Sequence, residues 1–528
     1  MKRLLLILLL PPCLLLLSGC GSLFKQQWYD FTAYYNTFYN AKQHFRAGVA
    51  ADRAHRPPLN PHQLISIHPS PSAAGATDFN RAIEKSSSIL RNHRRSSYID
   101  DALEMVGVSW FYLQEYFAAR EKFRELYRTT DDPAKRELAV IWEGRTWLEL
   151  GLAADGVRFM EEEIERLEAW DSGRRAEAQT VLAQLYAHQG HHFMAANLLL
   201  ASMNHLEEGD LRTRAWFHYG QVMDRLDNPD QAIRAFSEIP SMQPAFDLEF
   251  YSRLKEVEIW RRSGHPGEAD IRLNRMLRDD RFYTHYPEMQ MESAAILLAE
   301  GDPEAASELY LEVIEESDRV TPEQIARCYY QLAELNRTVH GDLITAAHYY
   351  EEAASIPVDS DWMPESWDAS QKAQEFGTYA AARQRLDDLE RLLALSELPQ
   401  EELERKLAES GESGLLLPEE EVGHSLDVGT IPRSPAARDS VEAARIRGYF
   451  ELGSLFYVTL AMPDSAAIYY TRVAESAGDG EILASAIYGL ADLALQVPDS
   501  TRATTLSYRL IEQFPRSRQA ELMIERLD

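Results

Sequence analysis

The sequence predicts an all-α fold, an array of antiparallel helical hairpins, and three observations predict it. Small residues recur within helical stretches at near-constant spacing. Gly107, Gly144, Ala183, Gly220, Val257, Ala294 and Ala333 lie 37, 39, 37, 37, 37 and 39 residues apart, and Gly453 and Ala491 resume the series at 38. Twelve residues past the first six comes a second small residue (Ala119, Gly156, Ala195, Ala232, Ala269, Ala306), and four beyond that a large one (Phe123, Met160, Leu199, Phe236, Leu273, Tyr310). Finally, 528 residues exceed what one ordinary core organises, and self-similarity at a fixed period of this size marks a repeat array.

In the first clear unit Leu103, Val106, Gly107, Trp110 and Leu113 form one stripe at helical spacing, and Tyr116, Ala119, Phe123 and Leu126 form the facing stripe. One hairpin cannot bury both stripes, whereas stacked neighbours can. The units at Ala333 and Gly453 use Ala346 and Ala466, one residue late, which reads as an insertion in the turn. At the far end Phe514-Pro515-Arg516-Ser517, followed by Ala520 and Leu522, predicts a capping helix over 519–527.

This pattern resembles the tetratricopeptide repeat, whose unit of about 34 residues is slightly shorter. The resemblance implies a right-handed α-solenoid whose inner face, lined by the first helix of each hairpin, carries a ligand groove. Carrying that register over places Phe111, Arg145, Gln184, Phe217, Gln221, Asp224, Glu258, Arg261, Tyr330, Glu334 and Arg337 on the inner face. A polar, mixed-sign, aromatic-dotted surface of this kind suits protein segments, since aromatics and Arg dominate binding energy. It lacks the Lys and Arg cluster that would grip a terminal carboxylate.

The N-terminus reads as an export signal. Lys2 and Arg3 precede an apolar run from Leu4 to Leu17, broken by Pro11 and Pro12 and too short for a spanning helix of about 20 residues. Leu17-Ser18-Gly19-Cys20 resembles the bacterial lipobox, which implies cleavage before Cys20 and lipid attachment there; the alternative is ordinary secretion. Residues 1–19 are then the signal peptide and 20–27 a lipidated tether. Two or more acyl chains anchor stably. Gly21, where Asp would by analogy mark inner-membrane retention, favours the outer membrane, facing the periplasm.

Between 28 and 92 the sequence predicts an aromatic helix, a Pro-rich loop and a helix near Phe79 to Leu90 that caps the array. Trp28, Phe31, Tyr35, Phe38 and Phe45 share one stripe, leaving Tyr29, Tyr34 and Tyr39 pointing elsewhere, among headgroups or as a partner patch. The five prolines in 53–77 mark the loop. The repeat array spans 93–357. Residues 358–440 form an insertion, with Tyr379, Ala382, Leu386, Leu389 and Leu393 predicting a helix packed on the array and an acidic linker after it. Repeat units and the cap fill 441–528.

The net charge of -30 disfavours nucleic acid, which needs clustered cations. Residues 21–100 run against it at net +5, a basic end beside the lipid that anionic headgroups would attract; an imbalance among solvated faces reads the same charges without a partner. Only three cysteines occur, and Cys328 has no structural partner. Gly423-His424-Ser425-Leu426-Asp427 resembles a hydrolase nucleophile elbow but lacks the closing glycine and sits in the linker. His188, His191 and His192 straddle a predicted turn at Gly190 without cysteine or carboxylate, so they read as turn histidines rather than metal ligands. No catalytic, metal or cofactor site is predicted.

The segment from Trp28 to Phe45 resembles the opening of repeat lipoproteins from Bacteroidota, some associated with gliding motility and type IX secretion. The stretch from Ala444 through Gly453 to Tyr470 fits the same group, and the lipoprotein partner of the β-barrel assembly machine is a more distant likeness. These imply a scaffold binding envelope proteins in assembly, secretion or motility. Two alternatives stand beside it: a glycan-capture lipoprotein of the starch-utilisation type, and a cell-wall enzyme accessory superhelix.

Overall fold

The computed structural model describes residues 37–167, 169–315, 320–410, 431–476, 479–496 and 500–527. The signal peptide, Cys20 and its tether, Tyr29, Tyr34, most of the acidic linker and the segment 423–427 lie outside the described residues. Their regular elements are helices, with no strand among the described residues. They pack as two units, 1–306 and 307–528.

The first unit opens with α1 (Tyr39–Ala54) and α2 (Ala76–Asn92), then α3 (Ile99–Tyr112) and α4 (Tyr116–Thr129), α5 (Pro133–Glu149) and α6 (Ala153–Arg166), α7 (Ser172–His188) and α8 (His192–Ser202), α9 (Asp210–Arg225) and α10 (Pro229–Glu238), α11 (Phe246–Arg262) and α12 (Pro266–Leu277), and α13 (Tyr286–Glu300). The division between units falls within α14 (Pro303–Glu315). Consecutive helices pack as hairpins, and they cross closely at the glycines of the small-residue series. A Cβ on Gly107 would meet the Phe123 ring at 2.7 Å, and one on Gly220 would meet Phe236 at 2.8 Å. Large and small are complementary halves of one close crossing.

A second regularity sits in the turns. Gln114, Gly151, Gly190, Asp227, Gly264 and Gly301 all hold positive φ, between 54° and 89°. They are spaced 37, 39, 37, 37 and 37 residues apart, the same series as the small residues. The left-handed turn reverses the chain between first and second helix, and glycine is cheapest there. Side chains cap several first helices: Asp132 accepts from the Ala134 amide at 2.9 Å, and Asp171 from Gly173 and Arg174, both at 3.1 Å.

The α1–α2 pair is itself such a hairpin. A Cβ on Gly48 would fall 2.8 Å from the Phe79 ring, and one on Gly75 2.5 Å from the Gly48 carbonyl oxygen. Gly48 and Phe79 are 31 residues apart, against 16 for Gly107 and Phe123, so the extra residues are a greatly expanded turn. Phe38 stacks on Tyr98 at 4.6 Å and Phe45 meets Phe79 edge-on at 6.1 Å. The described part of the aromatic stripe therefore docks, while Tyr39 is 48% exposed.

The second unit contains α15 (Pro322–Leu335), α16 (Leu343–Ser355), the long α17 (Ser366–Ser396), α18 (Gln400–Ser410), α19 (Pro435–Ser454), α20 (Pro463–Ala474), α21 (Gly480–Gln496), α22 (Ser500–Gln513) and α23 (Arg518–Leu527). The α17 stripe of Phe376, Tyr379, Ala382 and Leu386 is buried in one core with Tyr350 of α16 and Tyr449 and Leu452 of α19. The extra residue inferred for the Ala333 and Gly453 units is not in their turns. It is absorbed as a π-helical turn at the end of each first helix, Asn336–His340 and Leu455–Thr459, the usual way a helix accommodates one added residue. Tyr470 is clamped by two glycines, since Cβ atoms on Gly453 and Gly489 would each come within 2.7 Å of its ring. Ala520 and Met523 bury α23 as the terminal cap.

Candidate functional site: an occupied peptide groove

Within the first unit, residues 59–72 of the expanded α1–α2 turn run along the first helices without helical structure of their own, turning at 61–62 and bending at 63 and 67–68. Five prolines between 57 and 71 restrict φ and favour extended backbone. The positions one past each small residue, Arg145, Gln184, Gln221 and Glu258, line this path at repeat spacing. Two of them read the backbone directly. Gln221 Oε1 accepts from the Ile65 amide at 2.9 Å while its Nε2 donates to the Gln63 carbonyl at 2.6 Å. One repeat earlier, Gln184 Oε1 accepts from the amides of Ile67 and His68 at 3.1 and 3.2 Å.

The rest of the seat is also polar contact to main chain or to short side chains. His218 Nδ1 bonds the Ile65 carbonyl at 2.7 Å, and a carbonyl only accepts, so the ring proton sits on Nδ1. Arg214 donates to the Ser66 carbonyl at 3.3 Å, Ser70 donates to Glu149 at 3.0 Å, and Gln114 donates to the Pro71 carbonyl at 3.0 Å. Thr180 gives its own proton to the Glu177 carbonyl at 2.7 Å, so it accepts from His68 Nε2 at 2.9 Å. The contacts thus step from α9 to α7 to α5 to the α3–α4 turn, against the order of the hairpins. Ile65 and Ile67, two residues apart, both point into the core and are 6% and 0% exposed.

Burial holds the two histidines at the centre of this seat neutral. Burial, with Arg145 nearby, holds His68 well below the ordinary histidine range. Burial also takes His218 down to about 4, with His188, Arg225 and His192 adding to the effect against its bond to Ile65. Its Nε2 is buried without a hydrogen-bond partner. Arg145 lies between aromatic faces, 4.0 Å from the Trp142 ring centre and 5.1 Å from Phe111, and burial pulls its guanidinium below the ordinary value. Burial raises the Glu258 carboxyl, but Lys255, His62 and Arg261 outweigh it and hold it low.

The remaining inner-face residues are engaged within their own units. Phe111 and Phe217 are core, Phe217 meeting Phe236 edge-on at 5.1 Å. Asp224 pairs with Arg262 at 2.7 Å, and Arg261 with Glu292 at 2.7 Å. In the second unit Tyr330 donates to Asp368 at 2.5 Å, Glu334 takes Tyr350 and Arg337 at 2.5 Å each, and Lys372 pairs with Glu334. There α17 covers the face that sequence register assigned to a ligand. Among the described residues no group of His, Cys, Asp and Glu is arranged to hold a metal, and no helix is long and apolar enough to cross a membrane. Cys328 is buried, its thiol pushed up to about 12 by desolvation, out of reach as a nucleophile.

The sequence register puts Gln184 and Gln221 on the inner face, where the structure bonds them to residues 63–68, and reads 53–77 only as a loop. The Leu64-Ile65-Ser66-Ile67 run, apolar at three of its four positions inside a largely polar loop, was the available signal.

Fold and site together define an all-α protein of tetratricopeptide-like hairpins with a non-helical segment of its own chain seated on its first helices. No protein-family model matches the chain, and no curated protein matches it. Among solved structures it is similar to a tetratricopeptide repeat protein from Parabacteroides merdae ATCC 43184, at 15% identity over 51% of this chain and 98% of that one, with a TM-score of 0.36. It is also similar to the APC/C hetero-tetramer Cut9-Hcn1, at 13% identity over 81% of this chain and 96% of that one, with a TM-score of 0.26. At those scores neither likeness says anything about partners.

Proposed function

We propose that this chain is a scaffold that binds protein partners, lipid-anchored through Cys20 at the periplasmic face of the outer membrane, in envelope assembly, protein secretion or motility. One observation carries the binding reading: the first-helix face of the first unit already holds a non-helical polypeptide segment across successive hairpins, through side-chain amides that pair with backbone rather than with particular side chains. Such recognition accepts extended segments and demands no terminus. The lipobox-like Leu17-Ser18-Gly19-Cys20 and the net +5 over residues 21–100 support the placement at a membrane. In-cell cross-linking followed by purification of the full chain tests it. Reproducible recovery of outer-membrane barrel or secretion proteins is the expected outcome; retention on glycan affinity gel with no protein partner would replace it with glycan capture.

A further inference from the structure

We infer that residues 59–72 are a resident competitor in the groove, and that the groove's external ligand is an extended segment of the same chemistry: uncharged, with two β-branched residues at alternate positions. This rests on the scaffold reading above and names its ligand and its control.

The resident segment displays the specification. Ile65 and Ile67 are buried in the same hydrophobic core as the first-helix residues Ala183, Val222 and Phe217, and the two glutamines and His218 bond main-chain groups of the segment. The two histidines at its centre, His68 and His218, are buried and held neutral. The prolines pre-extend the segment, so it loses little freedom on seating. Its C-terminal end is pinned twice, by Gly48 against Gly75 in the α1–α2 crossing and by Ser72 bonding Asp52 at 2.7 Å, and its N-terminal end follows α1 after Ala54. The segment can therefore lift as a loop while the hairpin that carries it stays folded. A tethered occupant acts at an effective concentration on the order of millimolar, so a partner must outcompete it and the groove opens only to a segment that fits better.

The test uses the full mature chain with Cys20→Ser and a variant in which 59–71 are replaced by Gly and Ser at equal length. The probe is a fluorescent peptide of residues 59–72. The variant is expected to bind the peptide saturably and at least tenfold tighter than the unaltered chain. Gln184→Ala with Gln221→Ala in the protein, or Ile65→Asp with Ile67→Asp in the peptide, should abolish that binding. A variant with retained helicity and melting that shows no saturable binding overturns the inference. Should the variant not fold, hydrogen exchange on the unaltered chain decides. The amides of Ile65, Ile67 and His68 are expected to exchange well ahead of those of α7 and α9, and exchange only together with them would make the segment permanent core and overturn the proposal. Equal capture of native partners by the unaltered chain and a folded variant would leave the scaffold reading standing while removing this one.

Discussion

A Cβ placed on Gly107 would stand 2.7 Å from Cε1 of Phe123, a distance real side chains do not adopt. The glycine of α3 and the phenylalanine of α4 are two halves of one crossing, and the pattern repeats at Gly220 with Phe236 and at Gly453 with Tyr470. Gly107→Leu, Gly220→Leu and Gly453→Leu should each destabilise their unit by at least the 1–3 kcal/mol typical of overpacking. Unchanged thermal melting for all three would show that the helices do not cross there. Gly453→Leu should be the worst, because Tyr470 is also held by Gly489 on its other side and cannot retreat.

The turn positions make the converse prediction. Ala461 holds φ of 50° in the reversal between α19 and α20, where an L side chain is strained by roughly 1–2 kcal/mol. Ala461→Gly is expected to raise the melting temperature slightly despite the added chain entropy, while Gly264→Ala, at φ of 80°, lowers it. The opposite order in calorimetry would mean these turns are not left-handed.

Removing the amide at position 221 orphans both the Ile65 N–H and the Gln63 carbonyl. A buried polar group left unpaired costs about 1–3 kcal/mol, and the Ile65 amide is buried whereas Gln63 is exposed, so Gln221→Ala should destabilise the first unit measurably in urea titration. Gln184→Ala should do likewise, and the pair should be non-additive because both hold one segment. A loss under about 0.5 kcal/mol for the double variant would argue that the segment is not seated.

Acid should weaken the same region. His218 titrates near 4 in the folded chain against an ordinary value of 6.5. Above 6.5 both states are neutral and the group is silent; as pH falls from 6.5 towards 4 the unfolded chain takes up a proton that the folded chain refuses, so stability drops. The loss approaches the order of 3 kcal/mol near pH 4, and the lowered His68 adds in the same direction. His218→Gln should flatten the profile, and an unchanged profile would remove His218 from the account.

Membrane attachment is predicted to depend on one atom. Cys20→Ala should release the chain from the membrane fraction, and a Cys20→Ala protein still in the pellet after a high-salt wash would refute the lipid anchor.

Much of this was legible in the sequence because hairpin crossings leave a one-dimensional trace: Gly107, Gly144, Ala183 and Gly220 are small for a steric reason that recurs at fixed spacing. The turn series was written there too, but Gln114 and Asp227 stand where glycine would have revealed it. The π turns after Leu335 and Ser454 leave only a one-residue offset, which the chain could equally have placed in a loop. The seat of 59–72 was the least visible feature. Its bonds join main-chain atoms to Gln184, Gln221 and His218 across more than 100 residues, and a backbone group carries no sequence signature. Likewise, nothing local told Tyr330 and Glu334 that Asp368 and Lys372 of α17 would occupy their face.

The central claim is that the first-helix face of the first unit is a seat for extended polypeptide, occupied by residues 59–72. The most direct measurement is photo-cross-linking from a benzoylphenylalanine placed at Ser66, whose carbonyl lies 3.3 Å from Arg214, in the purified full mature chain. The account predicts an intramolecular cross-link to the α9 peptide around Arg214, lost on competition with excess peptide of residues 59–72. A cross-link confined to other hairpins, or none above solvent background, would contradict it.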